Sequence, residues 1–214
     1  MNPSINPSSA KIDQALLDVR KAYRLLHDYQ RMVLDAVNYI GKQFGLSYKG
    51  GLSKFSNAAP RDDKGRLDLC AWDWLNMVFY EFYFRPEGED DNTSLRFSVL
   101  LISDTGYFCA EEETLAKANV AGYLPPDQSS TKVGFILSDH RWDAFSFTEN
   151  KNAMKTFIEK GGELPAEYAA KGIYGICVDL ARLSSEEKTN ALLDELVVFA
   201  QANGIPLKRI VPKV

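Results

Sequence analysis

Leu69–Phe84, LCAWDWLNMVFYEFYF, is the stretch against which the rest of the chain must be read. It holds two of the three tryptophans, and Phe79, Tyr80, Phe82, Tyr83 and Phe84 fall within six positions. From Met77 onward, a two-residue period puts Met77, Phe79, Glu81 and Tyr83 on one side and Val78, Tyr80, Phe82 and Phe84 on the other. Both sides are apolar apart from Glu81, which predicts a strand buried on both faces. Aromatic side chains bury large areas and suit strands, so the centre of the core is expected here. A carboxylate in such a strand must be paired, protonated or functional, because an isolated buried charge is expensive. The expected partners of Glu81 are solvent or the bases of the preceding segment.

Working outward, Arg85–Asn92 (RPEGEDDN) is an acidic, turn-forming connection, and Ser94–Ser103 (SLRFSVLLIS) reads as a second strand. The two strands are expected to form a wide antiparallel hairpin. Upstream lies one long helical pattern, Lys11–Phe44, with no proline and no glycine before Gly41. Ile12, Leu16, Val19, Tyr23, Leu26, Gln30, Val33, Val37, Ile40 and Phe44 recur in steps of four and three, and only Gln30 is polar. That spacing is a coiled-coil seam, but Ala15, Ala22, Tyr29 and Ala36 broaden it, as do Leu25, Met32 and Tyr39 further along. The helix is therefore expected to pack inside the molecule. Its narrower N-terminal half is the part suited to pairing with another chain.

Downstream, a short helix is expected from Glu111 to about Val120, ending near Gly122 before Pro125 and Pro126. Strands are expected at Lys132–Ser138, Ala144–Phe147 and Ile173–Leu183. Thr148 is expected to cap a helix running to Lys160, and Pro165–Lys171 to form a single turn. Ser184 and Glu187 form a capping-box pattern for a final helix reaching about Asn203. The tail LKRIVPKV reads as exposed, with Ile210 and Val211 available for an edge strand. The fold expected is α+β: an antiparallel or mixed sheet of about four to five strands, packed by a long N-terminal helix and a C-terminal helix. Residues 1–10, with two Asn-Pro pairs, read as a disordered leader to a single domain over 11–214.

Composition sets outer bounds on function. Over 214 residues the chain is 45% hydrophobic and 25% charged, with a net charge of −4 that argues against a surface wholly given to nucleic acid. Cys70, Cys109 and Cys177 are odd in number and lack a CxxC pair, so neither a disulfide framework nor a zinc site is expected. Reduced thiols, no secretory leader pattern and no apolar run of membrane-spanning length together indicate a soluble cytoplasmic protein. No cofactor is expected.

Three residue sets merit a functional reading. Glu81, Asp104, Asp139 and Asp179 lie within or just after strands, where carboxylates can converge on Mg²⁺ or Mn²⁺ and hydrolyse phosphodiesters. The simpler reading is that Asp104 and Asp139 open turns and Asp179 pairs with Arg182 or caps a neighbour; no metal is assigned. Gly45–Arg66 reads as a loop region, and this basic loop carries Lys49, Lys54, Arg61, Lys64 and Arg66, with Tyr48 and Phe55 interleaved. It suits a phosphate backbone, yet Glu87–Glu113 carries eight acids against one base and can neutralise it, so nucleic acid is the weaker partner reading. Trp72, Trp74 and Trp142 form a candidate aromatic pocket. The glycines of GLSYKGGLSK do not make a phosphate loop, since Gly51-Leu52-Ser53 stands where Lys-Ser/Thr is required. His27 and His140 have no nucleophile-elbow serine to serve. The function expected is that of a non-catalytic protein acting through protein–protein contacts, as a homodimer or with a protein partner. The alternative is a carboxylate-based metal-dependent hydrolase or nuclease.

Overall fold

The computed structural model describes residues 9–54, 78–87, 95–110, 120–139 and 150–210. Internal contacts divide the chain into two units, Met1–Tyr39 and Ile40–Val214, with the boundary inside the first helix. That helix, α1, is Ser9–Gln43. On its polar side Asp18 accepts from Gln14 Nε2 at 3.1 Å and pairs with Lys21 at 3.2 Å, and Arg31 stands 4.0 Å from Asp35. Such pairs, three and four residues apart, support a helix by a few tenths of a kcal/mol each, roughly. Gly45, at φ 64°, stops it in a backbone conformation that side chains with a Cβ resist.

The second unit is built on a five-stranded antiparallel sheet in simple meander order. Its strands are β1 (Leu46–Lys54), β2 (Phe79–Pro86), β3 (Arg96–Ile102), β4 (Lys132–Ser138) and β5 (Ile173–Asp179). The short α2 (Gly106–Cys109) follows β3. α3 (Lys151–Glu159) and α4 (Ala166–Ala169) lie between β4 and β5, and α5 (Glu186–Ala202) ends the unit. The class is α+β, with the long N-terminal and C-terminal helices expected from the sequence.

The aromatic strand sorts its side chains as its alternation predicts. Phe79 joins Leu100, Ile102, Ile136, Ile173 and Cys177 in a cluster with Met154, Phe157 and Ile158 of α3. We call this the α3 face. On the opposite face Phe97 meets Phe84 at 6.0 Å, Phe135 at 6.0 Å and Phe44 at 5.6 Å between ring centroids. Edge-to-face and offset contacts of this kind add to what area burial alone supplies. All of β3 is buried, as a central strand covered on both sides must be.

Several boundaries depart from expectation for local reasons. Leu46–Lys54, read from sequence as loop, is the edge strand β1, and a bulge between Tyr48 and Gly50 hides its period. Asn150 caps α3, its side-chain oxygen accepting from the N–H groups of Asn152 and Ala153. Thr148 lies outside the described residues. The final helix is capped by Ser185, not Ser184, through the Lys188 N–H. β5 stops at Asp179 and Leu180–Leu183 turns into a 3₁₀ helix. Of the tail, Leu207 is buried while Lys208 and Ile210 are exposed, and Ile210 N–H donates to Gln43 O at 2.7 Å; residues 211–214, with the Val211 expected for an edge strand, lie outside the described residues. The strand expected at Ala144–Phe147 lies outside the described residues, as does the helix expected from Glu111 to about Val120 up to residue 119; Val120–Gly122 is a 3₁₀ turn.

Candidate functional site

Glu81 sits in the middle of β2 on the α3 face, opposite Leu52 of β1 and Leu100 of β3. It is fully buried, and Tyr83 O–H donates to its Oε2 at 3.3 Å. The strand register places more polar groups on the same face. Tyr83 stands opposite Ser98, and Arg96 opposite Ser138. Arg96, Ser98 and Ser138 are buried as well. With neighbouring strands about 4.8 Å apart and alternate residues about 7 Å apart, these groups form one polar strip running from the middle of β2 to the end of β4, on the face that carries Lys132 and Asp179 at its other end. Buried polar groups of this kind, once satisfied, fix one packing in preference to others. The sequence signals Glu81 clearly. Arg96, inside the apolar run SLRFSVLLIS, carries the same signal and belongs with it.

The other carboxylates are distributed along the sheet. Asp104 follows the C-terminal end of β3 and accepts from Gly106 N–H at 2.7 Å, the turn-opening role that its type favours. Asp179 ends β5 beside Lys132, with which it makes an ion pair of 2.8 Å, while Arg182, its expected partner, pairs with Glu195. Asp139 follows Ser138 at the opposite end of β4, and is exposed. Six strand residues separate these two ends, a distance of about 20 Å. Asp104 and Asp179 thus share one end of the sheet, Glu81 occupies its middle and Asp139 the far end. Among the described residues no three His, Cys, Asp or Glu side chains group as metal ligands.

Lys49 stands at the bulge of β1 and is exposed, and Lys54 ends the same strand. Arg61, Lys64 and Arg66 lie outside the described residues, as do Trp72, Trp74, Trp142 and His140. Burial governs the thiols. It pushes Cys177 up to about 12, and it raises Cys109 too, with Glu159 adding to the effect and Lys155, Lys132 and Lys151 opposing it. Both thiols are therefore poor nucleophiles near neutral pH.

Among the described residues, the seam of α1 carries a run of exposed apolar side chains. Ile12, Leu16, Val19, Tyr23 and Leu26 are 46%, 50%, 48%, 63% and 48% exposed. Every residue from 11 to 28 is exposed, whereas Val33 and Val37, further along the same seam, are buried. Single exposed leucines are ordinary; here the exposed apolar residues follow one another at helical spacing along one seam. His27 lies beside this stripe, 3.1 Å from Asp28. No described helix is long and apolar enough to cross a membrane.

A protein-family model described as PM0109 matches residues 9–205. A protein of Pasteurella multocida (strain Pm70) carrying the name "Uncharacterized protein PM0109" is 26% identical over 199 residues, covering 88% of this chain and 94% of its own length. No solved structure matches the chain. The family match spans most of the sequence, from α1 through α5, and the chain belongs to the PM0109 family.

Proposed function

We propose that this PM0109-family chain is a non-catalytic protein that acts through protein–protein contacts, and that it self-associates through the N-terminal half of α1. The observation that carries the reading is the exposed seam Ile12–Leu16–Val19–Tyr23–Leu26. Its steps of four and three are those of a helix that inserts knobs between the side chains of another helix. A second copy supplies such a helix with a matching period. The scattering of Asp104, Asp139, Asp179 and Glu81 along the sheet supports a surface, rather than a carboxylate centre, as the working part. The cytoplasm suits the free thiols of Cys109 and Cys177.

Magnitudes set the character of the contact. Fully burying one large apolar side chain is worth about 1.5–3 kcal/mol, so covering five half-exposed ones on each of two copies supplies about 10 kcal/mol. Association costs roughly 4–15 kcal/mol in lost freedom. The seam alone therefore supports a dimer that dilution takes apart. Sedimentation velocity across a concentration series tests this. The expected mass is twice the 24.0 kDa of one chain at high concentration, falling toward one chain on dilution. Leu16→Lys and Tyr23→Lys, both on the exposed helix surface, should hold the protein at the single-chain mass throughout. A wild-type protein that stays at that mass at every concentration refutes self-association.

A further inference from the structure

Resting on that reading, we infer that the second copy docks antiparallel along α1, with Leu16 of each chain against Val19 of the other and the two-fold axis passing between Leu17 and Asp18. The choice comes from the residues flanking the seam. With Leu16 and Tyr23 at a positions and Ile12, Val19 and Leu26 at d positions, the e positions are Asp13, Arg20 and His27, and the g positions are Ala15 and Ala22. In a parallel pair, each e residue meets a g residue. Asp13 then lies beside the helix start, and Arg20 and His27 face alanines, so no charge is matched. A parallel pair also stacks each seam residue on its own copy, setting Tyr23 on Tyr23 and Gln30 on Gln30.

An antiparallel pair places e beside e and g beside g. Centred between Leu17 and Asp18, it sets Ile12 against Tyr23 and Leu16 against Val19, each twice by symmetry. Asp13 of each chain then lies beside Arg20 of the other, giving two opposite-charge contacts. Ala15 lies beside Ala22 on the other flank, and small residues there let the helices approach closely. Sliding the copies by one heptad would instead bring Arg20 onto Arg20 and lay Gln30 against Ile12, which charge and polarity both disfavour. The selected overlap also falls within residues 11–28, all of them exposed, and stops short of the buried Val33.

Distances between spin labels on the full chain read the orientation directly. In a background of Cys70→Ser, Cys109→Ser and Cys177→Ala, labels are placed singly at Lys21→Cys and Asp28→Cys, both outside the seam. At a rise of 1.5 Å per residue, the antiparallel register separates the two Lys21 sites along the axis by about 10 Å and the two Asp28 sites by about 30 Å. Equal distances at both sites mean a parallel pair and overturn the inference while leaving self-association standing. Axial separations near zero and about 20 Å mean the slipped antiparallel register and overturn the placement of the axis. The absence of any intermolecular distance, with a single-chain mass for the wild type, overturns both. Charge exchange is an independent arm. Asp13→Arg alone should weaken association about tenfold by setting arginine against Arg20, and adding Arg20→Asp should restore it. No recovery in the double variant overturns the Asp13–Arg20 contact.

Discussion

Phe157 of α3 packs the far edge of its ring against Gly134 of β4: a Cβ built on Gly134 would stand 2.8 Å from Phe157 Cε1. The same ring covers Gly175 on the neighbouring strand, where a Cβ would come within 2.7 Å of Cε2. Two glycines thus form a shallow trough in the sheet that seats one phenyl ring, and this seat fixes α3 on its face. Gly134→Ala must push back a fully buried ring, with Leu100 Cβ also within 3.3 Å. Overpacking of this kind costs about 1–3 kcal/mol. Urea denaturation should show that loss, and the double variant Gly134→Ala with Phe157→Leu should lose less than the sum of the two single variants. Additive losses would mean that the ring and the glycine are not coupled.

Gly162 makes a harsher case. Its φ is 110°, and a Cβ there would stand 2.4 Å from Ile176 Cα and 2.6 Å from Gly175 O, both backbone atoms that cannot rotate away. This glycine pair also closes the outer edge of β5, since Cys177 N–H donates to Gly161 O at 2.9 Å. Gly162→Ala should therefore destabilise more than Gly134→Ala and should increase aggregation, because an uncovered edge strand recruits other chains. Light scattering during refolding checks the second effect; an unchanged signal would show that the edge does not depend on this turn.

The C-terminal tail depends on one guanidinium. Arg209 donates to Asp194 at 2.9 Å and to Asn190 at 2.6 Å, both on α5, and also to Gln43 at the end of α1. Charge-assisted bonds of this kind are worth about 1.5–3 kcal/mol each, less where solvent reaches them. Arg209→Ala should lower stability by about 2 kcal/mol. It should also speed hydrogen exchange at Ile210, whose N–H is bonded to Gln43 O. Protection at Ile210 unchanged in the variant would assign the tail's anchoring to Ile205 and Leu207 instead.

How much of this was legible in the sequence depends on whether a residue's partners are implied by its own neighbours. β2 and β3 announce themselves because each strand is apolar on both faces and alternates without interruption. β1 does not. Leu46 and Leu52 are an even number of residues apart, yet the bulge at Lys49 puts them on opposite faces, Leu46 opposite Pro86 and Leu52 opposite Glu81. Two glycines then remove the side chains that would have revealed the change. Gly51 is required there, because a Cβ would stand 2.6 Å from the Tyr80 ring, a residue 29 positions away in sequence. Glu81 stood out through composition alone. Its Tyr83 partner was equally readable, being two residues along the same face, but the serines and Arg96 beside it become neighbours only through register. The long helix was legible in extent, Lys11–Phe44 being expected and Ser9–Gln43 found.

Burial of acidic protons predicts a loss of stability at alkaline pH. Cys177 is pushed up to about 12 by burial, Tyr80 to about 12 by burial and then the Tyr48 hydroxyl, and Tyr123 to about 12 by burial and then Tyr107 and Asp104. Each group holds its proton longer in the folded chain than in the unfolded one. Their contribution is therefore complete below about pH 9 and declines as pH rises toward about 12, where the folded groups also ionise. Denaturation midpoints measured at intervals from pH 8 to pH 11 should fall (roughly the window set by the unfolded and folded values). Cys177→Ala should make that fall shallower while lowering stability at pH 8 through the small void it leaves. An unchanged slope would place the alkaline sensitivity elsewhere.

The exposed seam predicts that stability itself depends on protein concentration. If two copies cover Ile12, Leu16, Val19 and Tyr23, the folded dimer is favoured by mass action, and each tenfold rise in concentration adds about 1.4 kcal/mol per dimer. Far-UV circular dichroism follows α1 directly, because its 35 residues are all helical. The unfolding midpoint of the wild type should rise across a hundredfold concentration range. Leu16→Lys should abolish that dependence and leave the aromatic near-UV signal of the sheet unchanged at low temperature, since Leu16 is an exposed side chain remote in sequence from the sheet. A midpoint independent of concentration in the wild type would mean that α1 draws its stability from within its own chain, and the seam would lose its role.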